Sequence, residues 1–324
     1  TSGTSQATIL ALNAARFQLF GGQVRRDGIT GLPPVAVYAA AGAHTCIGQA
    51  LEVMGHGAAA LRQVPAGPDG MDVAALSEML AQDQARGIVP LAIVATAGSV
   101  NTGVFDAIDD IADICAAQGI WLHVDAAFGF WTLLADAPWA GLAAGMGRAQ
   151  SVALDFHKWV GVPYAAGACL VRDREVLRAT FVARPDYLSQ GAGLAGGEPW
   201  FTDYGVELSR GFAALKVWAV VKTAGTDALG AAISDNCRQA ALMGRLVEAA
   251  PKLRLAHEVV SNICCFEPLG AEASAIAARL QIQGQAVFST TRIDGVTCLR
   301  AAIVNHRSTA DDIRAAIRAV EEIL

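Results

Sequence analysis

Short apolar runs alternate with segments of helical periodicity along most of the chain. Runs at 35–39, 60–64, 89–95, 120–124, 151–154 and 168–171 have the length and composition of buried strands. Between them, 45–54, 72–86 and 108–118 read as helices, the second starting after Gly70. Strands separated by helices of about 10–15 residues predict βαβ units. The expected class is therefore α/β, with a mostly parallel sheet covered by helices on both faces. Ligands of such sheets bind beyond the carboxyl ends of the strands.

Residues 1–6 read as a turn feeding a helix over 7–16. The texture changes after Arg184. Residues 189–205 are rich in Gly, Ser and Ala, and an exposed, mobile loop is expected there. Helices follow at 211–223 and 227–249, split at Gly225, with Thr226 able to cap the second. From Lys252 onward, strand-like segments at 253–255, 262–266, 287–291 and 296–303 mix with helical ones at 271–281 and 310–324. This predicts a large α/β domain over 1–225 and a small C-terminal α+β domain over 226–324.

Composition narrows the function. The 324 residues are 53% hydrophobic and only 17% charged, which excludes a disordered chain. A net charge of −6 with no basic run gives neither nucleic acid nor an anionic membrane an electrostatic handle. The longest uncharged stretches, 28–51 and 87–105, are interrupted by Pro33, Pro34, Pro90, Asn101 and several glycines. Neither is the run of about 20 apolar residues that a membrane helix needs. The seven cysteines (46, 115, 169, 237, 264, 265 and 298) are scattered, with no Cys-x-x-Cys pair. They predict reduced, buried thiols in a cytoplasmic protein and no zinc site. No signal peptide opens the chain, and the start without Met or a preceding strand leads us to expect an N-terminal truncation.

Four places carry candidate chemistry. An apolar strand delivers His157-Lys158 at its end; a lysine in an apolar setting is a plausible amine nucleophile for a Schiff base, although a surface lysine is the plainer reading. A second strand ends on Asp125, followed by the small residues Ala126 and Ala127. Such a carboxylate either caps the next helix or pairs with a pyridinium nitrogen, with Ala127 leaving room for a flat ring. His44 stands at a strand-to-helix junction, where an imidazole can stack on a planar ligand or simply be structural. Ser2-Gly3-Thr4-Ser5 opens a helix, and its hydroxyls and N–H groups suit a phosphate as well as a cap.

Taken together, in this order and all at strand ends or helix starts, these features describe a pyridoxal phosphate (PLP) site. The sequence resembles the group II PLP-dependent decarboxylases, the family of aromatic L-amino acid, histidine and glutamate decarboxylases. The resemblance is carried by 1–16, 43–55, 95–106, 121–127, 151–163 and 184–188, and continues through Leu208-Ser209-Arg210 to Lys216 and Trp218. It implies PLP fold type I, a PLP cofactor and a homodimer acting on an amino acid as its small-molecule substrate. It further implies that Lys158 forms the Schiff base, His44 stacks on the ring, Asp125 bonds its nitrogen and Ala127 packs beneath it. Thr4 and Ser5 match the phosphate-binding turn, with Ser151 and His157 nearby. Tyr187 resembles the tyrosine that protonates the product carbon, and Arg210 an arginine near the site.

The implied reaction is decarboxylation of an L-amino acid, aromatic for preference, to the amine and CO2. Alternatives are another PLP reaction (aldehyde synthase, aminotransferase or lyase) or an inactive PLP-binding, dimerising fragment. Three features depart from the family pattern. Val100 follows Gly98-Ser99 where animal aromatic decarboxylases carry a hydroxyl residue, Asp155 stands where relatives often have Asn, and the loop after Tyr187 is shorter than in the animal enzymes. A nicotinamide site is not expected, because no Gly-x-Gly-x-x-Gly follows the first strand.

Overall fold

The computed structural model describes residues 1–183 and 199–324. The elements run α1 (Thr4–Phe20), α2 (Gln23–Asp27), β1 (Val35–Ala40), α3 (Cys46–Val53) and β2 (Leu61–Val64), then a small hairpin, β3 (Ala66–Gly67) and β4 (Gly70–Met71). Next come α4 (Val73–Ala85), β5 (Val89–Thr96), α5 (Ile108–Gln118), β6 (Trp121–Asp125), β7 (Ser151–Asp155), β8 (Gly167–Val171) and α6 (Arg174–Phe181). The remainder is α7 (Ala213–Ala249), β9 (Leu253–Leu255), β10 (Ile263–Pro268), α8 (Ala273–Ile282), β11 (Ser289–Ile293), β12 (Val296–Ala302) and α9 (Ala310–Glu321).

Six strands form the main sheet in the order β2-β1-β5-β6-β7-β8. All neighbours are parallel except the edge strand β8, which runs antiparallel to β7. The α/β expectation therefore holds. Strand alternation decides which helices cover which face. Val35, Val37 and Ala39 of β1 pack with Leu12 of α1 and Ile47 and Leu51 of α3. Ala36, Tyr38 and Ala40 point the other way, toward Leu76 and Leu80 of α4 and Ile111 of α5. Buried Tyr38 satisfies its hydroxyl by donating to Asp83 Oδ2 at 2.9 Å, and Arg62 pairs with the same oxygen at 2.8 Å. Asp72 caps α4 by accepting from the N–H groups of Ala74 and Ala75.

Helix α1 begins at Thr4, three residues before the predicted start. A tertiary contact replaces the local cap: Asp155 Oδ1 accepts the Thr4 N–H at 2.8 Å, and Thr1 and Gly167 exchange backbone hydrogen bonds at 3.0 Å. Gly167 permits this approach, since a Cβ there would lie 2.6 Å from Gly3 Cα.

Toward the C-terminus, α7 holds two helical segments that meet at Gly225, whose backbone is not helical (φ 77°, ψ 159°) and whose positive φ only glycine adopts without strain. The break predicted from the sequence is found at that residue. Beyond it, α7 touches both cores: Ile233 and Cys237 pack on Trp131 and Trp159, while Met243 and Val247 enter a second core. That core lies under a four-stranded antiparallel sheet, β11-β12-β10-β9, with α8 and α9 alongside. Phe266 is its centre, wholly buried and edge-on to Phe288 at 5.6 Å. The loop expected at 189–205 lies largely outside the described residues; its last part holds a short helical turn, Phe201–Tyr204. Among the described residues, no helix is long and apolar enough to cross a membrane.

Candidate active site

A cavity of about 370 Å³ opens at the carboxyl edge of the main sheet. Three neighbouring strands end in it on a polar residue: Thr96 from β5, Asp125 from β6 and Asp155 from β7. Thr96 and Asp125 are register partners, so these two ends are level. Beyond β1, the turn before α3 adds Ala43 and His44; beyond β7 come His157 and Lys158. The first turn of α1 closes one side with Ser2, Gly3, Thr4 and Ser5.

Asp125 is buried and accepts the Ala127 N–H at 3.2 Å. Burial raises the affinity of its carboxyl for a proton, while that N–H and the charges of Lys158 and His44 pull the other way. Lys158 Nζ lies 3.2 Å from Asp155 Oδ2 and 4.9 Å from the centre of the Phe128 ring. His44 is exposed at the mouth, and its Nδ1 accepts the Cys46 N–H at 3.2 Å. His157 stacks against Tyr164 with ring centres 4.3 Å apart.

The structure brings Thr4, Ser5, His44, Asp125, Ala127, His157 and Lys158 together around this one cavity. It does not bring Ser151. That residue opens β7 rather than ending it, is buried within the sheet, and bonds Trp121 Nε1 at 2.7 Å and His123 Nδ1 at 2.8 Å. Its expected part in cofactor binding is corrected to that of a partner for His123, which also reaches Thr8 of α1 at 3.4 Å. Arg210 is likewise not among the lining residues; it is exposed and pairs with Glu207 at 3.8 Å. Tyr187 lies outside the described residues.

Sequence reasoning did not place Thr96, Ser99, Cys46, Phe128, Asp155 and Tyr164 in the lining. For Thr96 and Asp155 the signal was present: each ends an apolar run, as Asp125 does. The segment 98–100 is held by backbone geometry. Gly98 has φ +79°, and a Cβ on it would stand 3.1 Å from Gly129 N. From outside, Asn101 fastens the same loop to the C-terminal sheet: its carbonyl accepts from Arg300 Nε at 3.2 Å and its Oδ1 from the Thr291 hydroxyl at 2.9 Å.

Residues 1–268 match the pyridoxal-dependent decarboxylase conserved domain, and the chain belongs to that family. An aromatic-L-amino-acid decarboxylase of Bacillus atrophaeus is 28% identical over 323 residues, 96% of this chain and 65% of that protein. An L-2,4-diaminobutyrate decarboxylase of Rhizobium meliloti (strain 1021) is 29% identical over 331 residues, 99% of this chain and 65% of that protein. The chain thus spans just under two thirds of the length of these curated relatives. A solved structure of Oryza sativa TDC with PLP and tryptamine matches at a TM-score of 0.90 and 27% identity, over 99% of this chain and 69% of that one. The fold is that of the PLP enzymes of fold type I, and the cofactor of the family is PLP.

The residues present fit that group. The hydroxyls of Thr4 and Thr96 are buried on the cavity wall without any hydrogen-bond partner. Helix α1 has no acidic residue in its first turn; Asp155 takes the Thr4 N–H, and the N–H groups that follow it in the first turn remain to meet an anion. A lysine amine, a buried carboxylate and an imidazole complete a donor set suited to an aldehyde, a pyridine nitrogen and a flat ring.

Proposed function

We propose that the protein decarboxylates an L-amino acid, with an aromatic substrate favoured, releasing the amine and CO2. The observation that carries this reading is the convergence of Lys158, Asp125, His44 and the first turn of α1 on one cavity. When bound, the cofactor supplies an aldehyde that captures the substrate amine and a ring system that accepts the electron pair CO2 leaves behind.

The chain's own residues do the rest. Lys158 supplies the amine that holds the cofactor aldehyde and gives way to substrate. Asp125, buried at the end of β6, would pair with the pyridine nitrogen and favour its protonated form. Thr4, Ser5 and the first turn of α1 would hold the phosphate. His44 and Ala127 would take the two faces of the ring, and His157 precedes Lys158 on the cavity wall. Phe128 on the wall and Tyr164 at the exposed rim offer ring surface that suits an aromatic side chain. Tyr187 delivers the proton to the product carbon. Two domains, over 1–225 and 226–324, a homodimeric assembly and a cytoplasmic location belong to the same reading. The separate core under the C-terminal sheet supports the first, family membership the second, and the seven free cysteines a reducing compartment.

The test is mass spectrometry of products from the PLP-loaded protein with aromatic, acidic and basic L-amino acids, diaminobutyrate included. An amine one CO2 lighter than an aromatic parent supports the proposal. Amine from diaminobutyrate alone moves the substrate class, aldehyde or keto acid overturns the reaction, and no product with PLP bound leaves a binding protein. Tyr187→Phe is expected to lower the amine yield; an unchanged yield removes Tyr187 from the reaction.

A further inference from the structure

The cavity holds a second buried carboxylate that the reaction above does not use. Asp155 is 2% exposed, yet each oxygen has its own partner. Oδ1 accepts the Thr4 N–H at 2.8 Å, and Oδ2 faces Lys158 Nζ at 3.2 Å and His157 Nε2 at 3.8 Å. We propose that Asp155 is a positioning residue for Lys158, tying the lysine amine to the anion-binding turn of α1 through a single carboxylate.

Two observations set this apart from a simple helix cap. A cap needs one acceptor oxygen, and Oδ1 alone fills that role for α1, which has no side-chain cap of its own. The second oxygen is then free to take a cation, and the amine beside it is the one placed at the cavity. A buried carboxylate without a charged partner is costly, so Lys158 and Asp155 hold each other in place. The consequence is geometric. The two ends of the site, the phosphate-binding turn and the lysine, sit 151 or more residues apart in sequence but share one rigid link. Asp155 thus sets the distance between them before any cofactor enters. The other charged groups that face this carboxylate are Asp125 from β6, His157 beyond β7 and the amino group of Thr1. His157 stands farther from it than Lys158, at 3.8 Å against 3.2 Å.

The inference rests on the reading of Lys158 as the cofactor-bearing lysine, but its test needs neither cofactor nor turnover. The cofactor-free protein is labelled with acetic anhydride at neutral pH, and labelling is read by peptide mass spectrometry. Lys158 is scored against Lys216 and Lys222 in the same sample. Asp155→Asn keeps the acceptor for Thr4 and removes the charge from Lys158. It is expected to raise the Lys158 labelling rate about 3- to 10-fold, with amide exchange in the first turn of α1 unchanged. Unchanged Lys158 labelling overturns the proposal and leaves Asp155 as a cap for α1. Faster labelling accompanied by lost protection of that turn also overturns it, because opening of α1 then exposes the lysine. If Asp155→Asn does not fold, Asp155→Ser, which also caps helices, is read by the same criteria.

Discussion

In the six-stranded sheet, β1, β5, β6 and β7 all run the same way, so the residues that follow or end them meet at one edge. In the four-stranded sheet every neighbour is antiparallel, and successive strand ends fall on opposite edges. Both sheets bury apolar strands over a well-packed core, yet only the first gathers Thr96, Asp125, Asp155 and Lys158 from distant parts of the chain. The C-terminal sheet serves that edge from behind. Thr291 of β11 and Arg300 of β12 hold Asn101, and with it the loop whose Gly98, Ser99 and Val100 line the cavity. Strand direction, more than strand composition, decides which sheet carries chemistry.

This contrast breaks if damage to the two regions has the same signature. The largest effect is expected from Phe266→Ala in the C-terminal core, costing about 3–5 kcal/mol in chemical denaturation. Fluorescence titration of the surviving folded protein should show PLP affinity little changed. Asp125→Ala should do the reverse, leaving the denaturation midpoint near that of the wild type while turnover falls roughly 10²- to 10³-fold. A similar loss of stability in both variants would remove the distinction.

His123 sharpens the comparison through pH. It is fully buried in the main sheet, and burial lowers its pKa to about 4. Below pH 6.5 the unfolded chain takes up a proton that the folded protein refuses until about pH 4. Stability is therefore present above pH 6.5 and lost as pH falls between these values, by about 3 kcal/mol in all. Urea unfolding of His123→Gln should show a shallower acid loss than wild type over that window; parallel curves would contradict the assignment. The smallest effect is expected from Ser151→Ala, about 1–2 kcal/mol from the bonds lost to His123 and Trp121. PLP affinity should stay within about twofold, because Ser151 stands four residues, about 13 Å of strand, from the end that faces the cavity.

That last distance also explains what the sequence shows and what it hides. Lys158, Asp125 and His44 are legible because each directly follows or ends a visible apolar run, and parallel strands send such positions to one edge. Ser151 opens the same kind of run; the family resemblance sets it near the phosphate-binding turn, and the strand carries it away from the cavity. Asp155 carries the same strand-end signal as Asp125, but its contacts depend on the approach of α1 across Gly167, a tertiary event with no local trace. The early start of α1 at Thr4 has the same cause. The kink at Gly225 was readable because a glycine interrupts an otherwise helical run. That the segment beyond it joins two cores was not, since periodicity does not report which neighbours a helix meets.

The central claim is that the cavity at the parallel edge holds PLP through Lys158. Borohydride reduction of the PLP-loaded protein, followed by peptide mass spectrometry, tests it most directly. The account predicts a pyridoxyl group on Lys158 and its loss in Lys158→Ala. A pyridoxyl group on Lys216, Lys222 or Lys252 in place of Lys158, or none at all, would contradict it.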